Sequence, residues 1–142
     1  MKDKINNLYN KDNEIAYKNL LDLEVICTES NELYNYFDDI LKLLNDNNSF
    51  IRVRGFRLIC YLANWDIDNK INKNINLILN ELDDNISTSI RQCLQKLNLI
   101  LLYKPELSSI IEEKLNKLDI SKYKETMQSL IKKDITNLLD NI

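Results

Sequence analysis

The chain offers few residues that could carry out catalysis. It contains no histidine, a single glycine and three widely spaced cysteines, Cys27, Cys60 and Cys93. Without histidine, the commonest general base and the commonest metal ligand are both missing, and one glycine cannot build a phosphate-binding loop. An odd number of cysteines at this spacing indicates buried apolar side chains rather than disulfides or a metal site. We therefore expect a non-enzymatic protein that uses no cofactor and no metal.

Basic residues are the next candidates, because the four arginines cluster in the middle of the chain. A helical wheel gathers Arg54 and Arg57 into one polar strip, and lysines recur at equivalent positions further along. This strip could form a groove for a protein partner with acidic side chains, with aromatic anchors at its edge. The alternative is a solvated polar face that binds nothing. The candidate partner-binding residues are Arg54, Arg57, Tyr61, Trp65, Lys96 and Lys133.

Two repeating apolar stripes indicate the elements that must position these side chains. The first stripe occurs within residues 33–44, 71–82 and 107–118, and the second within 51–62 and 90–101, with weaker copies in 16–27 and 127–138. Both have the i, i+4, i+7 spacing typical of one helix face, and the copies lie roughly 36–39 residues apart, the length of a helix pair. The sequence therefore predicts an all-α chain of about four antiparallel helix pairs, with degenerate end pairs.

Capping residues and the one glycine refine this prediction. Asn48 or Ser49 and Asp66 or Asp68 are suitable N-caps, and Ser121 would begin a last helix over 120–140. Pro105 suits a first helical turn, where its missing N–H costs nothing. Gly55 lies on the apolar stripe of its helix, where glycine costs about 1 kcal/mol relative to alanine. We expect a close helix–helix approach at Gly55.

The Asp/Asn turn followed by Ile51-Arg52, and again by Ile90-Arg91, resembles HEAT repeats. The strings from Ile51 to Gly55, Trp65 to Lys70 and Tyr103 to Pro105 also resemble small clostridial HEAT-like proteins, sometimes labelled SufBD protein. The resemblance implies one α-α superhelix domain over residues 1–142, a right-handed stack whose second helices line a concave, partner-binding face. It also implies a structural ladder in which arginines bond acidic residues of neighbouring turns. The ladder residues are Arg52 and Arg91 with Asp46 and Asp83, or Asp84.

Charge and hydropathy bear on the other classes of function. The net charge of −3 disfavours nucleic acid as a partner. The chain has neither an apolar run of about 18 residues nor an apolar N-terminal segment, so we expect a cytoplasmic protein without membrane contact. Two alternatives stay open. The first, suggested by resemblance, is a HEAT-like alkylpurine DNA glycosylase that would use Trp65 and Asp66. The second is a homodimer that would form through an apolar C-terminal edge at Leu138, Leu139 and Ile142.

Overall fold

Helices make up all the regular secondary structure of the chain, which is described over residues 1–142 by a computed structural model. The α-helices are α1 (Lys2–Asn6), α2 (Asn13–Glu29), α3 (Phe37–Lys42), α4 (Ser49–Leu62), α5 (Lys70–Lys73), α6 (Ile75–Leu79), α7 (Ser87–Tyr103), α8 (Ser108–Lys117) and α9 (Glu125–Leu139). Short 3-10 segments lie at Asn7–Tyr9, Glu32–Tyr36, Leu43–Asn45, Ala63–Trp65, Asn80–Asp83 and Pro105–Leu107. The all-α prediction is confirmed.

The four long helices α2, α4, α7 and α9 contact one another in chain order. Helix α4 packs against both α2 and α7, and α7 packs in turn against α9. Three of the shorter helices contact the long helix that follows them, α1 with α2, α3 with α4 and α8 with α9. None of these helices combines the length and the apolar character that crossing a lipid bilayer requires.

The predicted apolar stripes form the core. One cluster of 35 buried residues runs from Ile5 to Leu138, and burying a leucine or isoleucine side chain of this kind contributes about 1.5–3 kcal/mol. Of the two C-terminal leucines, Leu138 belongs to this cluster and Leu139 is partly buried against it, so the apolar edge expected at the C-terminus is largely covered. Ile142 remains exposed.

The predicted cap of α4 is confirmed, whereas the N-cap of α5 is Asn69, and the predicted Asp66 accepts from the first turn of α5 from a position three residues further back. The Asn48 side chain accepts the Phe50 N–H at the start of α4, and Asp66 accepts the N–H groups of Lys70 and Ile71 at the start of α5. The last helix is shorter than the expected 120–140, because α9 begins at Glu125. Ser121 bonds Asp119 in the preceding turn instead of capping a helix.

Gly55 lies where α4 packs closely against the segment before it. A Cβ atom built onto Gly55 would lie 2.7 Å from Leu43 Cβ and 3.2 Å from the Ile40 carbonyl oxygen. Real Cβ atoms do not approach other heavy atoms as closely as the first of these distances. The glycine therefore allows α4 to pack directly on α3 and the 3-10 turn at Leu43–Asn45, which confirms the predicted close approach.

Candidate functional site

Arg52 connects α4 to the turn that precedes α7. Its Nε donates to Glu81 Oε2 at 2.9 Å, its Nη2 donates to Asp84 Oδ2 at 2.8 Å, and its Nη1 donates to the Asp46 carbonyl oxygen at 2.9 Å. Asp46 thus contributes its backbone, while its side chain accepts the Asn48 N–H. One guanidinium therefore joins two turns that are distant in sequence.

The other expected ladder contacts differ from the prediction. Arg91 binds the carboxylate of Asp134 on α9, with Nε 2.8 Å from Oδ2, and so pairs with a helix rather than with a turn. Asp83 contacts no arginine and instead accepts from Lys114 Nζ at 2.6 Å. The assignment of Asp83 to the arginine ladder is wrong, because the neighbouring residue Asp84 faces Arg52 and Asp83 faces solvent.

Glu81 and Asp84 sit together beside Arg52, and both are buried. Burial and the neighbouring Asp84 carboxylate raise the pKa of Glu81 to about 8, despite the opposing charge of Arg52. Burial also acts against ionised Asp84, but hydrogen bonds from Glu81, Ser49, the Ile86 N–H and Arg52 outweigh it and lower its pKa to about 2. At neutral pH the cluster therefore holds one protonated and one ionised carboxyl group.

Arg57 is buried within an ion pair, with 7% of the residue exposed. Its Nε and Nη2 donate to the two carboxylate oxygens of Glu24 on α2, at 2.9 and 2.8 Å, and its Nη1 donates to Gln92 Oε1 on α7 at 3.0 Å. Burial alone would lower the pKa of Arg57, but Glu24 outweighs burial and raises it. The assignment of Arg57 to an exposed basic row is therefore wrong.

Arg54 is also buried, with 6% of the residue exposed, but its partners are neutral. Its Nη1 donates to the carbonyl oxygens of Leu8 and Asn10, at 2.8 and 3.4 Å, and its Nη2 donates to Asn13 Oδ1 at 2.8 Å. Burial accordingly lowers the pKa of this arginine. The expected position of Arg54 on an open polar strip is corrected in the same way as that of Arg57, because α4 lies between two neighbouring helices.

The remaining predicted anchors lie in different surroundings. Lys96 on α7 is half-buried, with its Nζ 3.2 Å from the Tyr61 hydroxyl and 5.2 Å from the Tyr61 ring centre. Lys133 on α9 is exposed. Trp65 is half-buried and donates its Nε1–H to the Cys27 carbonyl oxygen at 2.7 Å. Tyr61 and Lys96 therefore meet each other, whereas the basic side chains do not form a continuous row.

Asp66, the acidic residue of the DNA-glycosylase alternative, is held by hydrogen bonds and an ion pair within the fold. Both of its carboxylate oxygens cap α5, Oδ1 also accepts from the Tyr34 hydroxyl, and Oδ2 lies 3.1 Å from the buried Lys104 Nζ. Burial acts against ionised Asp66, but these partners outweigh it and lower its pKa. An ionised carboxylate that is fully engaged in this way has no free oxygen for a substrate.

A cavity of about 320 Å³ opens between α2, α4 and α7. The sequence prediction missed it, because each wall comes from a different helix. The clue in the sequence is two aromatic residues that lie outside the predicted apolar stripes, Tyr17 and Phe50. These two residues are 50% and 43% exposed. The lining residues are Asn13, Glu14, Tyr17, Leu20, Phe50, Val53, Arg54 and Gln92. We call this site the α2–α4–α7 cavity.

The chain matches no family model, and it shows no significant similarity to a curated protein or to a solved structure. No group of three His, Cys, Asp or Glu side chains has a geometry that could hold a metal ion. The α2–α4–α7 cavity combines a buried cation that has no anionic partner, Arg54, with the exposed aromatic residues Tyr17 and Phe50.

Proposed function

We propose that this chain is a non-enzymatic helical-repeat scaffold of the HEAT-like type, in which α2, α4, α7 and α9 are the second helices of four stacked pairs. The order of helix contacts supports this proposal, since each long helix packs on the next one along the chain. Repeat stacks of this kind offer long, rigid surfaces to other proteins. The scaffold would work in the cytoplasm as a monomer or as a homodimer.

The partner would bind where the second helices are open to solvent, around the α2–α4–α7 cavity. The observation that carries this assignment is the exposure of Tyr17 and Phe50 at the cavity, beside the buried Arg54. Aromatic residues are enriched at interfaces because they bury a large area at a small cost in conformational entropy. Tyr61 and Lys96 extend the same surface along α4 and α7, and Lys133 stays a candidate at one end. Trp65 lines a separate pocket together with Tyr103 and is not part of the proposed surface.

An in-cell photo-crosslinking experiment tests this function. We would replace Phe50 with p-benzoylphenylalanine, which keeps an aromatic ring at the cavity, and identify the proteins that become covalently attached. The matched control is the same replacement at Tyr103, an aromatic residue of similar exposure at the end of α7. We expect a defined protein adduct from position 50 and none from position 103.

Two outcomes would contradict the proposal. A defined adduct from position 103 with none from position 50 would move the binding surface away from the second helices. Absence of any adduct when the probe is placed in turn at Tyr17, Phe50 and Lys96 would contradict partner binding by this face altogether.

A further inference from the structure

We propose that the α2–α4–α7 cavity recognises a carboxylate side chain that lies next to an aromatic residue in an acidic segment of the partner protein. This inference rests on the proposed function, because it specifies what the partner presents to the scaffold. It concerns a binding site for one negative charge and one apolar group.

The four arginines of the chain differ in one respect that points to this ligand. In Arg52, Arg57 and Arg91, the Nε–H and Nη2–H groups on one edge of the guanidinium donate to the carboxyl groups of Asp or Glu side chains at 2.8 to 3.3 Å. In Arg54 the same edge has no carboxylate: Nη2 donates once, to Asn13 Oδ1, and Nε donates to no acceptor. Arg54 is thus the one arginine in the chain without an anionic partner.

A buried cation with only neutral acceptors has lost part of its hydration without full compensation. A carboxylate is the group that matches a guanidinium edge, since its two oxygens accept two parallel N–H bonds. Arg54 lines the cavity, so a ligand carboxylate can approach it from solvent. The arginine that lacks an anionic partner is therefore the one that a ligand can reach through the cavity.

Gln92 supplies a second donor in the same cavity. Its Oε1 accepts from Arg57 Nη1 at 3.0 Å, which fixes the orientation of the amide. Its Nε2 group donates to no acceptor within the chain, while the residue lines the cavity opposite α2. Because Arg57 determines which end of the amide faces the guanidinium, the free NH₂ end is the one left for a ligand.

The other walls define the rest of the ligand and limit its charge. Tyr17, Leu20, Phe50 and Val53 provide an apolar surface that suits an aromatic ring. Glu14 also lines the cavity, on the exposed first turn of α2, and it repels anions. One cation opposed by one carboxylate favours a monoanion over a phosphate dianion, which needs several positive groups.

Peptide titrations followed by NMR test this inference. The probes are acetyl-Gly-Phe-Asp-Gly-amide and its neutral Asn counterpart, and the signals are the backbone amides of α2 and α4 and the Nε–H of Arg54. We expect the Asp peptide to bind with a Kd near or below about 1 mM and the Asn peptide to bind at least about tenfold more weakly. The Arg54 Nε–H should shift only with the Asp peptide.

Two variants that keep the fold should change the affinity for the Asp peptide in opposite directions. Gln92→Glu keeps the acceptor for Arg57 but replaces the free donor with a negative charge, so the Asp peptide should bind at least about fivefold more weakly. Glu14→Gln removes the repelling carboxylate and should tighten binding by about two- to fivefold. The matched control is Gln95→Glu, which adds the same charge to α7 outside the cavity and should change the Kd by less than about twofold at moderate salt.

Three results would overturn the inference. The first is equal binding of the Asp and Asn peptides, and the second is no binding of either peptide at about 10 mM. The third is binding of free N-acetylphenylalanine without binding of the Asp peptide, which would assign the cavity to a small acid. Each result leaves the photo-crosslinking experiment intact. A protein adduct at position 50 combined with no binding of either peptide would support the scaffold function and contradict the carboxylate site.

Discussion

At the scale of single residues, the polar groups of this protein act mainly on one another. Arg52, Arg57 and Arg91 each bind a carboxylate on another element, which for Arg52 is that of Asp84, and Lys104 does the same with Asp66. Only the Arg57–Glu24 and Lys104–Asp66 pairs are buried on both sides, and removing one member of such a pair typically costs roughly 3–5 kcal/mol, because the other charge stays buried without compensation. Arg54 departs from this pattern, and for that reason it is the residue that we assign to binding.

The carboxyl group of Glu81 gives a prediction for pH. Its pKa is about 8 in the folded protein and 4.5 in an unperturbed chain, so between these values the folded state holds a proton that the unfolded state has lost. The contribution of Glu81 to the free energy of unfolding is therefore complete below pH 4.5 and is lost as the pH rises to about 8. The contribution of Asp84 to the free energy of unfolding changes with pH in the opposite direction, because its pKa is lowered on folding. That change falls between its folded pKa of about 2 and its ordinary value of 3.8, well below the range in which Glu81 titrates.

We expect Glu81→Gln to flatten the dependence of stability on pH, because the amide keeps the neutral form at every pH. Urea unfolding at pH 5, 6.5 and 8 measures this change, and the wild type should lose up to about 1.4 kcal/mol per pH unit more than the variant. Glu112→Gln, at an exposed position on α8, is the control. A variant with the same slope as the wild type would show that Glu81 is ionised at neutral pH.

At the scale of the elements, α4 determines how the chain packs. Every residue from Val53 to Cys60 is buried, since α2 and α7 lie on its flanks and α3 covers its glycine face. A helical wheel correctly separated the apolar stripe of α4 from its polar strip. It could not show that the polar strip is buried, because a wheel describes one helix and burial depends on the neighbours.

Gly55→Ala tests the packing of α4. Alanine would normally stabilise a helix interior by about 1 kcal/mol relative to glycine, but here the new methyl group would overlap Leu43 Cβ. We expect a net loss of roughly 1–3 kcal/mol in the free energy of unfolding, measured by urea titration. Gln95→Ala, at an exposed position on α7, should be neutral or slightly stabilising. A gain in stability for Gly55→Ala would mean that α3 and α4 are less closely packed.

At the scale of the whole molecule, one continuous core joins all nine α-helices. Its apolar members could be predicted from the sequence, because the two stripes repeat with helical spacing. The pairing of charges could not, since Glu24 lies in the faintest copy of the second stripe and Asp134 lies near the end of the chain. The α2–α4–α7 cavity was missed for the same reason: its walls are brought together by folding from residues 13 to 92.

The three cysteines test the continuity of this core, since they are buried on three successive long helices. Burial raises the pKa of Cys27 to about 12 and raises the pKa values of Cys60 and Cys93 as well. We expect a thiol reagent such as DTNB to react with the native protein at least about 100-fold more slowly than with the urea-unfolded chain. A Ser129→Cys variant supplies an exposed reference thiol. Rapid reaction of all three native thiols would contradict a continuous core.

The buried pair of Arg57 and Glu24 limits how this protein could be lengthened. In the stack of helix pairs that we propose, inserting a second copy of α3 and α4 would place the new Arg57 against the original α4, whose sequence from Ser49 to Leu62 contains no acidic residue. The duplicated guanidinium would then be enclosed without a counter-ion, at a cost of several kcal/mol. Longer arrays would therefore have to acquire an acidic residue on the duplicated helix before extra units became favourable.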